Sequence, residues 1–318
     1  MAVKPRLSVL LPAMLGYRRT LAALQAWQSQ RSVSETEILL LLPSRFLLAP
    51  DEQAGLHEVC RVIPVGESQL HEARAIGVQL SHGDYVVMAE DHCLPDAGWV
   101  EAVLKRLEHG WDGIGGVLRP GNREDCWSES AFLLGYGQWA RPQTGGPIGV
   151  LCGHNCTVRR ELFEQFGDGL ADELLICAFL TRKLQAQGCR FYLDRDATMR
   201  HYDPSTVGTN IRLFFIVGLG FGALRSVNWG WCARMLYALL LPVVAGLHYR
   251  RAVRHFIRMG RGRGIRGMAL PASLVLSCFW AAGEAVGVII GRSRVAGHMW
   301  QTEVKPVSQE MVERSDAA

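Results

Sequence analysis

Acidic residues are missing from a long stretch of this 318-residue chain. Between Asp203 and Glu284 the sequence contains no Asp or Glu but ten arginines, and seven of those arginines lie within residues 250–266. Up to Asp203 the balance is reversed, with 20 Lys and Arg against 25 Asp and Glu. A strongly basic stretch attracts anionic partners, either nucleic acid or anionic lipid. We therefore divide the chain into two predicted domains, residues 1–205 and 206–318.

Two further absences narrow the class of protein. The nine cysteines include no paired C-x-x-C, and the spacing of Cys152, His154 and Cys156 matches no common zinc module. The N-terminus lacks the pattern of a signal peptide, because Lys4 and Arg6 are followed only by a short strand-like run. We expect buried, reduced thiols and a first domain in the cytosol.

Short apolar runs alternate with helical patterns along the first domain. The runs are rich in Leu, Val and Ile without strict alternation, which is typical of strands buried on both faces. This order predicts an α/β fold with a mostly parallel sheet covered by helices. The predicted strands are residues 7–12, 37–42, 61–65, 85–89 and 113–117, and the predicted helices are residues 18–30, 72–78 and 96–109.

The fourth of these strands ends in three side chains that can bind a metal. Residues 85–89 run directly into Glu90, Asp91 and His92, and Pro95 then turns the chain away. In an open α/β sheet, ligands bind at the carboxyl ends of the strands. Carboxylate oxygens and one imidazole suit Mn²⁺ or Mg²⁺ carrying a phosphate, and the imidazole favours Mn²⁺. A polar strand end facing water is the alternative.

Several motifs, in a fixed order, give the chain a resemblance to the family-2 glycosyltransferases, inverting enzymes with the GT-A nucleotide-sugar-binding fold. Each motif is short, and their order carries the resemblance. They are the strand ending at Pro12, Ala73-Arg74-x-x-Gly77, Gly83-Asp84-Tyr85, Glu90-Asp91-His92, Pro95-x-x-Trp99, Gly153-His154-Asn155, Arg159-Arg160, Asp172-Glu173, Gly188 and His201.

The resemblance implies a role for each matching residue. The enzyme would be a metal-dependent glycosyltransferase that moves a sugar from a nucleotide-diphosphate donor to an acceptor hydroxyl. The general base would be Asp172 or Glu173, although acids near a helix start also serve as caps. Donor-binding residues would be Pro12, Ser44, Arg74, Glu90 and Asp91; metal ligands would be Asp91, His92 and His201; and acceptor-side residues would be His154 and Asn155.

Two departures from the family pattern keep other functions open. Pro43-Ser44-Arg45 follows the second strand, where many members carry acids that hold the nucleoside, and His92 replaces the third acid of the metal motif. A catalytically inactive membrane-associated scaffold of the same fold is therefore one alternative. A nucleotidyltransferase is the other, although residues 12–19 contain one glycine and no lysine where a triphosphate loop would lie.

The second domain is predicted to be helical and membrane-associated. Apolar residues 235–247 and 268–291 flank the arginine cluster, which favours anionic lipid over nucleic acid as its partner. Only the second apolar segment is long enough to cross a bilayer, and two crossings by these segments would place the arginines outside. Residues 211–224 are either a core helix or an interfacial helix. We expect one crossing or none, on the cytoplasmic side of the inner or plasma membrane, with a glycan or lipid-linked sugar as acceptor.

Overall fold

The computed structural model describes residues 4–30, 32–48, 56, 60–122, 125–140, 145–259 and 267–292. These residues form two compact units. The α/β unit comprises the described parts of Met1–Arg119 and Arg141–Arg200, and the helical unit comprises the described parts of Pro120–Ala140 and His201–Lys305. The division predicted at residues 205–206 cuts the chain once, whereas the helical unit also takes in Pro120–Ala140. Three of the clustered arginines fall within residues 260–266, outside the described residues.

The first half of the sheet is parallel and lies where the apolar runs predicted it. Strand β2 (Thr36–Leu42) is parallel to β3 (Arg61–Pro64) and to β1 (Leu7–Pro12), and β1 is parallel to β4 (Tyr85–Met88). Every residue of β1 is buried, as is most of β2, which explains the absence of a polar alternation. The predicted α/β fold is confirmed.

The second half of the sheet makes it a mixed sheet. Among the described residues it contains nine strands in the order β3-β2-β1-β4-β8-β6-β9-β5, with β7 paired to β9. Strand β8 is antiparallel to both β4 and β6. The remaining strands are β5 (Cys93–Pro95), β6 (Gly113–Pro120), β7 (Gly146–Ile148), β8 (Cys156–Arg159) and β9 (Phe191–His201).

Helices cover the sheet of the α/β unit. Burial of their apolar faces joins them to one core that includes Leu10, Leu41, Val86 and Phe163. A capping box between Gln69 and Glu72 begins the second helix. The helices of this unit are α1 (Tyr17–Gln28), α2 (Leu70–Leu80), α3 (Trp99–Leu107), α5 (Glu161–Glu164), α6 (Leu170–Glu173) and α7 (Cys177–Ala186).

The helical unit contains one helix from the middle of the chain and four from its C-terminal third. Helix α4 (Cys126–Gly135) begins at Asp125, whose side chain accepts hydrogen bonds from two backbone N–H groups. It packs against the last helix of the unit. The four later helices are α8 (Val207–Arg225), α9 (Trp231–Leu239), α10 (Leu241–Met259) and α11 (Ala269–Ile290).

Candidate active site

The carboxyl ends of three neighbouring parallel strands meet at one edge of the sheet. The register pairs Pro12 with Leu41 and Leu10 with Met88, so β2, β1 and β4 end at a similar level. Ser44 follows the end of β2 and is exposed, Pro12 is the buried last residue of β1, and Glu90 comes just after β4. The structure therefore brings together three of the predicted donor-binding positions. This is the edge at which α/β sheets bind ligands.

Glu90 is the centre of a compact cluster of charged side chains. It is 5% exposed, and its Oε1 lies 2.7 Å from Arg74 Nη2. Its Oε2 lies 3.2 Å from His92 Nε2 and contacts His154 Nδ1. Burial on its own raises the pKa of the Glu90 carboxyl, but His154, His92 and Arg74 outweigh burial and hold this pKa well below its usual range. The carboxylate is therefore ionised at neutral pH.

Arg74 lies within the protein and supports Glu90. It projects from α2 and is 3% exposed. Besides Glu90, its Nη2 donates to the backbone oxygens of Ala89 and Gly153, at 3.4 and 3.5 Å. The guanidinium thus joins the end of β4 to the loop that carries His154. Its predicted contact with the donor stays a prediction, and its contacts here hold Glu90 in place.

Asp91 and His92 are the predicted metal ligands that face solvent. His92 Nδ1 lies 2.8 Å from Asp91 Oδ1, and the side chains are 17% and 26% exposed for His92 and Asp91. Neighbouring ligands of an octahedral ion with 2.0–2.1 Å bonds are about 3 Å apart. One carboxylate oxygen and one imidazole nitrogen at this separation could therefore hold one Mn²⁺ or Mg²⁺ ion.

His154 joins this cluster, although the sequence analysis assigned it to the acceptor side. It is part-buried, it contacts the same Glu90 oxygen as His92, and the two imidazole rings have centroids 5.9 Å apart. The two rings also bring ring nitrogens within 4.8 Å of each other. This makes His154 an additional candidate metal ligand. Sequence spacing gave no signal of this, because β8 and the loop before it reach the site only through antiparallel pairing with β4.

Asn155 is placed deeper than a substrate-contacting residue would be. It is fully buried, and its Oδ1 accepts a hydrogen bond of 3.0 Å from Trp99 Nε1. The Pro-x-x-Trp and Gly-x-Asn motifs therefore meet, and their contact fixes the loop that presents His154. The acceptor-side role of Asn155 stays a prediction.

Asp172 and Glu173 lie in a one-turn helix at the edge of the α/β unit. Helix α6 packs against α2, the helix that carries Arg74, and a 3-10 turn separates it from α7. Asp172 is exposed, and Glu173 Oε1 lies 3.0 Å from Lys183 Nζ. The described helix has no side-chain N-cap. Their predicted role as base stays a prediction.

His201, the third predicted metal ligand, belongs to the helical unit and is the last residue of β9. It is buried, its Nδ1 lies 3.1 Å from Asp203 Oδ2, and its ring is 4.0 Å from the ring of Tyr136. Its contact with a metal or diphosphate stays a prediction.

The cysteines are thiols, as expected. All nine are free, and five of them are buried. Burial raises the pKa of Cys152 and of Cys156 far above the usual range, so both are protonated at neutral pH. A metal ligand must be a thiolate, and these thiols are therefore poorly suited to bind one.

The stretch that carries the metal-capable cluster and its supporting loop also matches a known family. The family model described as "Glycosyl transferase family 2" matches residues 51–167. The predicted family-2 glycosyltransferase resemblance is confirmed. The matched stretch contains Arg74, the Glu90-Asp91-His92 triplet and the loop of His154 and Asn155, whereas Asp172, Glu173 and His201 follow it.

Two solved glycosyltransferase structures are similar to this chain at low identity. One is GalNAc-T7 with UDP, GalNAc and Mn²⁺, with a TM-score of 0.47 and 15% identity over 63% of this chain and 44% of that chain. This chain therefore spans less than half of its length. The other is the mannosyltransferase PcManGT from Pyrobaculum calidifontis in complex with GDP-Man and Mn²⁺, with a TM-score of 0.46 and 14% identity over 99% of this chain and 79% of that chain. No curated protein matches the sequence.

Proposed function

We propose that this protein is a metal-dependent glycosyltransferase that moves a sugar from a nucleotide-diphosphate donor to an acceptor hydroxyl. The observation that carries the proposal is the cluster of Glu90, Asp91, His92 and His154 at the end of β4, inside the stretch that matches the family. An inactive scaffold would have no need to keep a buried, ionised carboxylate bonded to two imidazoles beside a solvent-facing acid.

The donor set of the cluster fits Mn²⁺. Asp91 and His92 would hold the ion, with His154 as a further ligand, because imidazole and carboxylate together suit Mn²⁺ better than Mg²⁺. A bound divalent ion supplies charge neutralisation for a departing nucleoside diphosphate. Glu90, held by Arg74, would orient the two imidazoles through their contacts with its carboxylate.

The donor would lie along the strand ends, with Pro12 and Ser44 beside its nucleoside. Ser44 is exposed and its backbone N–H is occupied by Gly66 O at 2.8 Å, so its hydroxyl is the group that faces outward. Arg45 is held by Glu67 and by Met14 O. A serine hydroxyl can hydrogen-bond to any base or to the ribose, so it does not specify which nucleotide the donor carries.

The acceptor hydroxyl needs a carboxylate to take its proton. Asp172 and Glu173 are the proposed bases, because they are accessible acids on a helix packed against α2. Glu173 also pairs with Lys183, which ties it toward α7. The acceptor would be a glycan or a lipid-linked sugar, reached from the cytoplasmic side of the inner or plasma membrane and attached there through anionic lipid.

The test is release of nucleoside diphosphate by the purified full-length protein, screened against a panel of nucleotide sugars with Mn²⁺, with Mg²⁺ and with EDTA. We expect release with at least one donor, higher with Mn²⁺ and abolished by EDTA. Asp91→Asn and His92→Ala should each remove most of this activity at limiting Mn²⁺. The matched control is Glu164→Gln, an exposed acid elsewhere in the unit whose loss should leave turnover unchanged. Release that persists in EDTA and in both variants would reject the metal-dependent mechanism.

A further inference from the structure

Two helices of the helical unit are long and apolar enough, by length and composition, to cross a membrane. They are α8 (Val207–Arg225) and α11 (Ala269–Ile290), and the bent pair of α9 and α10 adds a third segment if it counts as one span. At 1.5 Å per residue, α8 is about 28 Å long and α11 about 33 Å, close to the roughly 30 Å of a hydrocarbon core. How these helices are arranged decides how many crossings are possible.

Helices α8 and α11 are parallel and in close contact. A Cβ on Gly218 would lie 2.1 Å from Trp280 O, and a Cβ on Gly222 would lie 2.1 Å from Glu284 O. Because the partners advance by four residues in the same direction on both helices, the two chains run the same way. Small residues allow such close packing of membrane helices. The glycines of α11 show the same pattern: a Cβ on Gly283 would lie 2.0 Å from Phe215 O, and a Cβ on Gly287 would lie 2.0 Å from Leu219 O.

Helix α10 runs in the opposite direction. His248 contacts Glu284, whereas Arg251, further along α10, lies over the ring of Trp280, which comes earlier in α11. The far end of α10 also reaches α4, since His255 Nδ1 is 3.0 Å from Leu133 O. Helix α4 in turn contacts the start of α11. The end of α10 and the start of α11 therefore lie on one side of the unit.

Glu284, the acid inside α11, is paired with polar and basic side chains. Its side chain is 0% exposed. Arg225 Nη1 lies 2.8 Å from Oε2 and His248 Nε2 lies 3.0 Å from Oε1, while the Tyr237 hydroxyl donates to Oε2. These partners come from α8, α10 and α9. An unpaired acid is costly inside a bilayer, and this pairing removes that objection to a crossing.

Large parts of the outer faces of the helices are apolar. Large apolar side chains are exposed on α9, on the first half of α10 and over most of α11, and no charged residue of α11 accompanies them, because Glu284 points inward. Such an apolar face fits hydrocarbon. The exposed residues are Trp231, Leu236, Leu239, Val243, Leu247, Leu274, Val275, Phe279, Val286 and Ile289.

Charge is unequal at the two ends of this bundle. Arg250, Arg254 and Arg258 are exposed on the second half of α10, the half nearest the start of α11. The sequence adds three arginines between α10 and α11, and Arg212 lies near the start of α8. Clustered arginines stay on the cytoplasmic side of a membrane.

We propose that the helical unit crosses the membrane three times. Helix α8 crosses outward, the bent pair of α9 and α10 returns as one broken span that begins at the far surface, and α11 crosses outward again. Two parallel neighbours in one membrane require such a return between them. This arrangement keeps the arginine-rich end on the side where α8 begins. The expectation of one crossing or none counted only residues 235–247 and 268–291. Including α8 as a span restores the cytoplasmic position of the arginines.

Cysteine labelling tests this topology without any measurement of activity. A membrane-impermeant maleimide is applied to sealed spheroplasts and, separately, to inverted vesicles containing the full-length protein. The probes are the native Cys232 at the start of α9, Gly267→Cys before α11 and Arg292→Cys after it. Gly267 is exposed with no atom within 4 Å of an added Cβ, so this cysteine fits without strain. Both engineered probes are placed in a background in which Cys126, Cys189, Cys232 and Cys278, the native cysteines that are not buried, are changed to Ser. The native Cys232 is tested with the other three changed to Ser.

We expect Cys232 and Arg292→Cys to react in spheroplasts, and Gly267→Cys to react only in inverted vesicles. If only α11 crosses the membrane, Cys232 should react in the same preparation as Gly267→Cys. If no helix crosses, all three probes should react only in inverted vesicles. Either pattern overturns the proposal. The exposed Cys278 lies mid-helix on the lipid-facing side of α11. It should stay unlabelled in both preparations until detergent is added, and labelling without detergent would contradict burial in lipid.

Discussion

The buried pair of Arg74 and Glu90 gives the sharpest quantitative prediction. Both side chains are almost inaccessible, at 3% and 6% exposure, and their charged atoms are 2.7 Å apart. Removing one partner of a buried ion pair leaves an uncompensated charge and costs about 3–5 kcal/mol. We therefore expect Glu90→Gln, which leaves Arg74 buried without its partner, to lower the free energy of unfolding of the full-length protein by about 3–5 kcal/mol. Arg74→Met should lower it by less, because His92 and His154 still contact Glu90.

The double variant separates the effect of losing the ion pair from the effect of altered side-chain packing. When both charges are removed, neither remains buried alone, so Arg74→Met with Glu90→Gln should be less destabilised than the sum of the single variants, by about 0.5–3 kcal/mol. The control is Glu164→Gln, whose partner Arg160 lies 3.4 Å away and whose own side chain is 65% exposed. An exposed pair of this spacing contributes about 0.3–0.5 kcal/mol.

The assay is equilibrium urea unfolding in a mild detergent, followed by near-ultraviolet circular dichroism.

The contribution of Glu90 to the free energy of unfolding also depends on pH, and the direction of that dependence follows from its pKa. Because the folded pKa of Glu90 lies below its usual value near 4.5, its stabilisation is fully present above pH 4.5 and is lost as the pH falls below that value. The Glu90→Gln variant should lack this part of the acid dependence. Single variants that stay within 1 kcal/mol of the parent, as Glu164→Gln should, would refute the buried pair.

Two other predictions concern catalysis and helix contact. Asp172→Asn or Glu173→Gln should lower kcat about 10²–10⁴-fold in the diphosphate-release assay with donor affinity unchanged, and parallel loss of donor binding would indicate a structural role instead. Gly222→Ala places a Cβ 2.1 Å from Glu284 O and should destabilise the helical unit by about 1–3 kcal/mol. Gly246→Ala, which meets no atom within 4 Å, should leave the thermal midpoint unchanged or raise it, and equal midpoints for the two variants would contradict the close contact.

The sequence predicted the parallel half of the sheet well because its strands are locally apolar. Strand β1 has the bounds expected from residues 7–12, and the ends of β2, β3 and β4 differ from expectation by one residue. The triplet after β4 could be recognised for the same reason, since a strand and the polar residues after it are adjacent in the chain. Local order is what a single sequence carries best.

Contacts that join distant segments were not predicted. Arg74 was assigned to the donor and His154 to the acceptor, yet both contact Glu90. Their approach depends on the antiparallel position of β8 beside β4, and no local pattern in residues 156–159 specifies that pairing. The sequence did not predict that α4 belongs to the helical unit, because α4 carries no cluster of basic residues. It packs against α11, and one contact is a hydrogen bond from Ser130 Oγ to Ala269 O, which counts of charged residues do not register.

The number of membrane crossings predicted for the helical unit depends on contacts between its helices that the sequence does not show. In the sequence alone, the acid Glu284 argues against a membrane crossing by the segment that contains it. The arginines between the apolar segments 235–247 and 268–291 argue against both of these segments crossing. The structure supplies Arg225 and His248 as partners for the acid, and it shows α8 parallel to α11. Once α8 is part of the same bundle, the arginines lie between the second and third spans rather than the first and second. The same charge pattern that opposed two crossings is therefore the pattern expected for three.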